Sequence, residues 1–199
     1  MLRRALLVFT AAAMCSTPLW AQETRRVRAT IEKIDGSTLA VKTRDREDLK
    51  ITLADKPVFV AIVPATLADL KPGTFVGSGA TPGPDGSLVA MEVHIFPEAM
   101  RGTGEGHRPM EGPNQATMTN ANVDVSVAAV DGQMLTLKYK DGEKKLLVTP
   151  KTAIVAYAPG DRAELKPGIK FIAVAQKQPD GSLQTTRISY GRDGLTPPM

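Results

Sequence analysis

Asp69-Leu70-Lys71-Pro72-Gly73 reappears downstream as Glu164-Leu165-Lys166-Pro167-Gly168. Two further stretches repeat in the same order. Pro84-Asp85-Gly86-Ser87-Leu88 returns as Pro179-Asp180-Gly181-Ser182-Leu183, and Ile31-Glu32-Lys33-Ile34-Asp35-Gly36 returns as Val127-Ala128-Ala129-Val130-Asp131-Gly132. The offset is 96 residues for the last of these and 95 for the other two. Three ordered matches at nearly constant spacing read as two copies of one module.

Each copy has the pattern of β structure. Val27, Ala29 and Ile31 alternate with Arg28, Thr30 and Glu32, the period of a half-buried strand. Asp35-Gly36 favours a tight turn because both residues tolerate positive φ. Leu39, Val41, Leu49, Ile51 and Leu53 continue the alternation, with the charged run Arg44–Asp48 as a solvated loop. Val58–Val63 is continuously apolar and is expected to be more buried than its neighbours. Pro64 to Leu70 fits one or two helical turns with Thr66 as a cap, ended by Lys71-Pro72-Gly73. Phe75–Ala80 and Leu88–Ile95 read as the closing strands, and Val123 to Tyr190 runs the same course. The Lys-Pro-Gly and Asp-Gly motifs are turn chemistry, since Pro fixes φ and Gly supplies its positive values.

The expected fold is all-β: two tandem OB-like small β-barrels, each with a short helix, joined by a Gly/Pro-rich segment. Closure removes the two sticky edges that so small an open sheet would expose. A module of roughly 70 residues buries only about 60% of its unfolded surface. The copies are therefore expected to pack on each other, with exchange of a strand as one route and two independent barrels as the alternative. The boundaries are 1–21 for a signal peptide, 22–95 for the first module, 96–122 for a linker or functional loop, and 123–199 for the second module and a short tail.

Residues 1–21 carry a basic end at Arg3-Arg4, an apolar run from Ala5 to Met14, a break at Ser16-Thr17-Pro18 and a small residue at Ala21. The apolar run is about half of the roughly 20 residues that a membrane span needs. Export to the periplasm or beyond follows, with no membrane span in the mature chain. Arg3-Arg4 also begins a twin-arginine pattern, and Cys15 a lipid-anchor pattern, although bulky Met14 precedes it. Cleavage removes the one Cys, the one Trp and two of the 25 basic residues, leaving a net charge of +2. A chain without Cys has no disulfide, no thiol nucleophile and no Cys-based metal site. A charge this small does not suggest nucleic acid as a partner. The few aromatics, Phe59, Phe75, Phe96, Tyr139, Tyr157, Phe171 and Tyr190, fall mostly where a core needs them rather than on a base-stacking groove.

The segment from Phe96 to Asn122 is the unusual one. Gly102, Gly104, Gly106, Gly112, Pro97, Pro109 and Pro113 exclude a regular helix or strand over most of it. A connection this long is a linker or a functional loop. Both histidines, His94 and His107, and three methionines, Met100, Met110 and Met118, lie in or beside it. Imidazole and thioether suit copper, Cu(I) in particular. His94 alternates with Val93 and Ile95, so it should point away from the core and be available. A zinc site would need carboxylates such as Glu98 or Glu105 to complete four ligands. Gly102-Thr103-Gly104-Glu105-Gly106 resembles a phosphate-cradling loop, but His107-Arg108-Pro109 after it is poor helix material. No nucleophile-elbow or triad pattern surrounds either histidine.

The paired Ile-Asp-Gly or Val-Asp-Gly, Leu-Lys-Pro-Gly and Asp-Gly-Ser-Leu motifs resemble an exported bacterial family known as a domain of unknown function. The resemblance includes the central His94 to Gly102 stretch, Gly106-His107-Arg108-Pro109 and the tail Gly191 to Pro198. Members of that family often carry the label "metal ABC transporter permease". A permease needs several membrane spans, so the label does not fit this chain. The resemblance implies an exported OB-type barrel, no established activity and no catalytic or binding residues to carry over. The expected function is a non-catalytic binding or interaction protein of the cell envelope, with an envelope protein or small ligand as partner. The alternative is a periplasmic copper- or zinc-handling protein using His94, His107, Met100, Met110 and Met118.

Overall fold

The computed structural model describes residues 23–83, 85–110 and 112–198. The expected signal peptide, with its cleavage point, lies outside them, as does Pro84 of the repeated turn motif. Within them the chain forms twelve strands: β1 (Thr24–Asp35), β2 (Thr38–Thr43), β3 (Asp48–Pro64), β4 (Phe75–Pro82), β5 (Leu88–Ile95), β6 (Gly106–Pro109), β7 (Thr117–Ala129), β8 (Gly132–Tyr139), β9 (Gly142–Val148), β10 (Ala153–Pro159), β11 (Lys170–Lys177) and β12 (Leu183–Gly191). The fold is all-β. The helix expected after each long strand is a single 3-10 turn instead, Leu67–Asp69 in the first half and Arg162–Glu164 in the second. Thr66 precedes the first of these, and its amide and hydroxyl both donate to the Asp69 carboxylate, at 2.8 and 2.7 Å.

Five strands close a barrel in the order β1-β2-β3-β12-β11, with β11 returning antiparallel to β1 and β12 lying parallel to β3. A second ring follows the same order with β7-β8-β9-β5-β4, closed by the β4–β7 ladder. Its one parallel contact is short, Leu88 beside Leu146 and Val89 beside Leu147. The modules read along the sequence therefore do not coincide with the rings in space. β4 and β5, from the first half, complete the second ring, and β11 and β12, from the second half, complete the first. Each ring is completed by a two-stranded hairpin from the other half of the chain.

The alternating side chains obey this partition. One core gathers Val27, Ile31, Leu39, Val41, Ile51, Leu53, Phe171, Ile188 and Tyr190 inside the first ring. The other gathers Val76, Leu88, Val93, Val123, Leu135, Leu137, Leu146 and Val148 inside the second. Leu70 follows β3 but plugs the second core, whereas Leu165 follows β10 and packs in the first. Burial of each large side chain contributes about 1.5–3 kcal/mol, so neither ring closes without the other half's hairpin.

The crossing happens where β3 runs on for 17 residues without a turn. Its second part pairs antiparallel with β10, and β10 lies parallel to β5, so one continuous sheet joins the two rings. The apolar run Val58–Val63 is not uniformly buried as its sequence suggests. It is a strand with two faces, and Val58 on the outer one is 55% exposed.

The segment 96–122 is not a structureless connection either. A 3-10 turn at Glu98–Met100 leads into β6, whose residues Gly106 to Pro109 pair with Asn120 to Thr117 of β7. β7 itself begins at Thr117, six residues before the expected module boundary. The glycines here serve turns: Gly102 and Gly104 adopt φ of 80° and 56°. Arg101 fastens this arm, donating to the Glu98 carboxylate, to the side-chain oxygen of Asn122 and, at 3.0 Å, to the Gly73 carbonyl.

Candidate functional site

Paired residues in a sheet project on the same face, and neighbours along a strand on opposite faces. On the outer face of the second ring, Asn120, Gly77 and His94 form one row across β7, β4 and β5, and Met118, Gly79 and Glu92 form the next. The alternation correctly places His94 away from the barrel core. It is not available, however: His94 is 2% exposed and Glu92 5%. The Tyr157 ring of β10 lies against His94, and Met110 of the arm lies on the Glu92 side. Replacing Gly77 by a residue with a Cβ would put that carbon 2.9 Å from the Phe96 ring and 2.8 Å from the Asn120 oxygen. At Gly79 it would lie 2.8 Å from Glu92 Oε1 and 3.3 Å from the Met110 sulfur. The two glycines are thus the seat on which Phe96 and Met110 rest.

His94 Nε2 stands 3.6 Å from Glu92 Oε2, too far for a good hydrogen bond. Glu92 Oε1 and both ring nitrogens of His94 are buried with no hydrogen-bond partner. Such groups ordinarily cost about 1–3 kcal/mol each. Tyr157 on β10 stacks obliquely between His94 and Phe96, with ring centroids 5.3 and 5.1 Å away. Burial pushes its phenol up to about 12, against the opposing pull of Arg187.

The structure sorts the five expected metal-ligating residues. Met110, on the arm, brings its sulfur to Gly79 in the row of Glu92 and Met118, whereas His94 stands in the neighbouring row against the Tyr157 ring. Met100 faces the first ring, where its sulfur accepts a 3.5 Å contact from Arg187 Nη2. His107 pairs with Thr119, on the opposite face of β7 from Asn120, and its Nδ1 lies 2.8 Å from the Thr119 hydroxyl. Burial, reinforced by the Lys144 ammonium, holds the His107 imidazole below its ordinary value. Among the described residues no three His, Cys, Asp or Glu side chains gather as a metal-binding group. Glu92 is the residue that sequence reading passed over. Its position two residues before His94, on the same strand face, was the available signal.

A separate concavity of about 730 Å³ lies across β2 and β3 of the first ring. It is walled by Lys33 and Asp35 at the β1–β2 turn, Thr38 on β2, Lys50 and Thr52 on β3, and Ser182 in the β11–β12 turn, among others. That last turn is held by Asp180, whose carboxylate accepts from the Ser182 amide at 2.9 Å and hydroxyl at 2.7 Å. These hydrogen bonds keep the Asp180 carboxyl below its ordinary value. Asp85 does the same for Ser87 in the β4–β5 turn. The groove carries both charge signs and several hydroxyls beside the apolar Ala40, Leu49 and Leu183, and has no aromatic wall.

No helix among the described residues is long and apolar enough to cross a membrane. Comparison of the chain with protein-family models, with curated proteins and with solved structures gave no match.

Proposed function

We propose that this chain is an exported, non-catalytic binding protein of the cell envelope, built from two copies of an OB-like module that have exchanged their closing hairpins. The observation that carries the reading is the groove over β2 and β3. In OB-type barrels that face, with the loops joining strands 1–2 and 4–5, is the one that takes ligands. Here the corresponding loops are the β1–β2 and β11–β12 turns. Lys33, Lys50, Asp35, Thr38, Thr52 and Ser182 supply donors and acceptors for a polar, hydroxyl-rich or zwitterionic ligand. The lack of an aromatic wall argues against stacked bases. Neither histidine stands beside a nucleophile in an accessible cleft, which supports binding rather than catalysis.

Amide spectra recorded during titration with soluble glycan and muropeptide fragments test this. Shifts confined to Thr38, Lys50, Thr52 and Ser182, lost in Lys33→Glu/Lys50→Glu, support the reading, and a silent groove across the panel overturns it. Fractionation of cells tests the address, which a protein retained in the cytoplasm would contradict.

A metal-handling role is the second reading. It is favoured by the buried, partnerless Glu92 Oε1 and His94 nitrogens, with the Met110 sulfur on the Glu92 side of the pair. The ligand set is then His94, Glu92 and Met110, with His107 and Met100 outside it. Submicromolar Cu(I) or Zn(II) binding lost in His94→Ala and kept in His107→Ala supports that role. Binding indifferent to both substitutions removes it.

A further inference from the structure

The outer face that the arm covers on the second ring continues across β10 onto the first ring, where the arm reaches Arg187 through the Met100 sulfur and the tail residues Thr196 and Pro197 lie beside Ile172. The β4–β5 hairpin presents Gly77 opposite His94, whereas the β11–β12 hairpin presents Ile172 opposite Ser189. Where the second ring has glycines seating Phe96 and Met110, the first has larger side chains open to solvent. Val174 and Val58 there are 53% and 55% exposed. Between the rings this face sinks into a cleft of about 350 Å³ with Tyr157, Ile62, Ile172 and Val174 as its apolar lining and Arg26 and Arg187 at its edge.

Neither arginine is paired with a carboxylate among the described residues. The side chain of Arg187 reaches only the Met100 sulfur. Two unpaired guanidiniums over an apolar floor are complementary to a negative head on an apolar body. The volume stands at the low end of the roughly 300–1,000 Å³ of small-molecule pockets. A peptide adding as a strand is not the occupant, because β10, β11, β12 and β1 are each paired on both sides.

We propose that this cleft binds a small amphiphilic anion, a carboxylate or phosphate monoester carrying a short apolar tail, at a site separate from the β2–β3 groove. The guanidiniums of Arg26 and Arg187 hold the head. Ile62, Ile172, Val174 and the Tyr157 ring receive the tail, and the Ser189 and Thr186 hydroxyls lie within the same lining.

Calorimetric titration of the purified protein with octanoate, octyl phosphate, octanol and inorganic phosphate, all below micelle formation, tests it. One-to-one binding of octanoate or octyl phosphate is expected, with the tighter of the two naming the head group. Octanol and inorganic phosphate should each bind at least tenfold more weakly. The variant Arg26→Gln/Arg187→Gln, which keeps much of the side-chain stems, should lose at least tenfold. Val174→Asp, at an exposed position outside both cores, should lose binding while its thermal melt matches the parent. Equal affinity for octanol and octanoate, inorganic phosphate binding as tightly as octyl phosphate, or variants that bind like the parent would each overturn the proposal. Because Lys33 and Lys50 lie outside this cleft, the groove variant should bind octanoate normally, so the two sites fail independently.

Discussion

Ile62 and Tyr157 stand directly opposite each other in the antiparallel β3–β10 ladder. They are separated along the chain by 95 residues, the spacing of the Leu-Lys-Pro-Gly and Asp-Gly-Ser-Leu motifs. The ladder at the join is centred on this pair, with Val63 opposite Ala156 on one side and Ala61 opposite Ala158 on the other. Ile62 is buried, and Tyr157 carries the ring contacts that extend the join to His94 and Phe96. Tyr157 is half-buried, so replacing it by Ala should cost about 2–3 kcal/mol, below the range for fully buried aromatic truncations. Urea unfolding measures it, and a loss below 1 kcal/mol would show the join to be dispensable.

Because each ring draws a hairpin from the other half of the chain, the halves are interdependent. Residues 23–102 lack β11 and β12, and residues 103–198 lack β4 and β5. Neither fragment should give a folded monomer, whereas mixing them should restore the native circular dichroism and a one-to-one complex. A folded monomer from either fragment would contradict this interdependence.

Gly77 and Gly79 are selected by close approach rather than by backbone conformation. Gly77→Ala and Gly79→Ala push a methyl into Phe96 and Asn120, or into Glu92 and Met110. Overpacking of this kind costs about 1–3 kcal/mol. Hydrogen exchange should show the loss as faster opening of β6, with the two barrel cores protected as before.

Tyr157 also sets an alkaline limit. Its phenol is raised to about 12 in the fold, against about 10 in an unfolded chain. The contribution of the neutral phenol is fully present below pH 10 and is lost as pH rises through about 12. An absorbance titration at alkaline pH should show a late phenolate step that disappears in Tyr157→Phe, leaving that of Tyr190, whose phenol burial also raises.

At the acid end, Arg192 donates from Nε and Nη2 to both oxygens of Glu164, at 2.8 and 2.7 Å. These hydrogen bonds hold the Glu164 carboxyl below its ordinary value. A lowered carboxylate stabilises the fold above its unfolded value, and the contribution is lost as pH falls through the folded one. Glu164→Gln should therefore narrow the difference in urea midpoint between neutral and acid pH, which a midpoint series across that range would read.

Local chemistry was legible residue by residue. The alternation in Val27-Arg28-Ala29-Thr30-Ile31 became β1 with Val27, Ala29 and Ile31 inward. The repeated Pro-Gly turns adopt matching backbones, with φ of 86° at Gly73 and 91° at Gly168, and the Asp-Gly turns 80° at Gly86 and 83° at Gly181. The pair Asp35-Gly36 and Asp131-Gly132 does not match so closely. Beyond its bulge the β7–β8 hairpin carries five residue pairs against three in β1–β2, which carries Val125, Val127 and Val130 out into solvent. A turn motif marks where a hairpin ends but not how far its strands have run.

By itself, then, the sequence determined most of the strands, though not β6 or the start of β7, with their inward faces, most of the turns and the face on which His94 projects. All of these depend on residues a few positions apart, through the two-residue period of a strand and the φ values that Gly and Pro permit. Only the tertiary structure decided which hairpin closes which ring, that the arm 96–110 folds over β4 and β5, and that His94 is buried against Glu92 while His107 is turned away. The reason is degeneracy. The β4–β5 and β11–β12 hairpins carry the same local pattern and could complete either ring. The choice rests on β3 passing straight through to meet β10, a contact between residues 95 apart that no local period encodes.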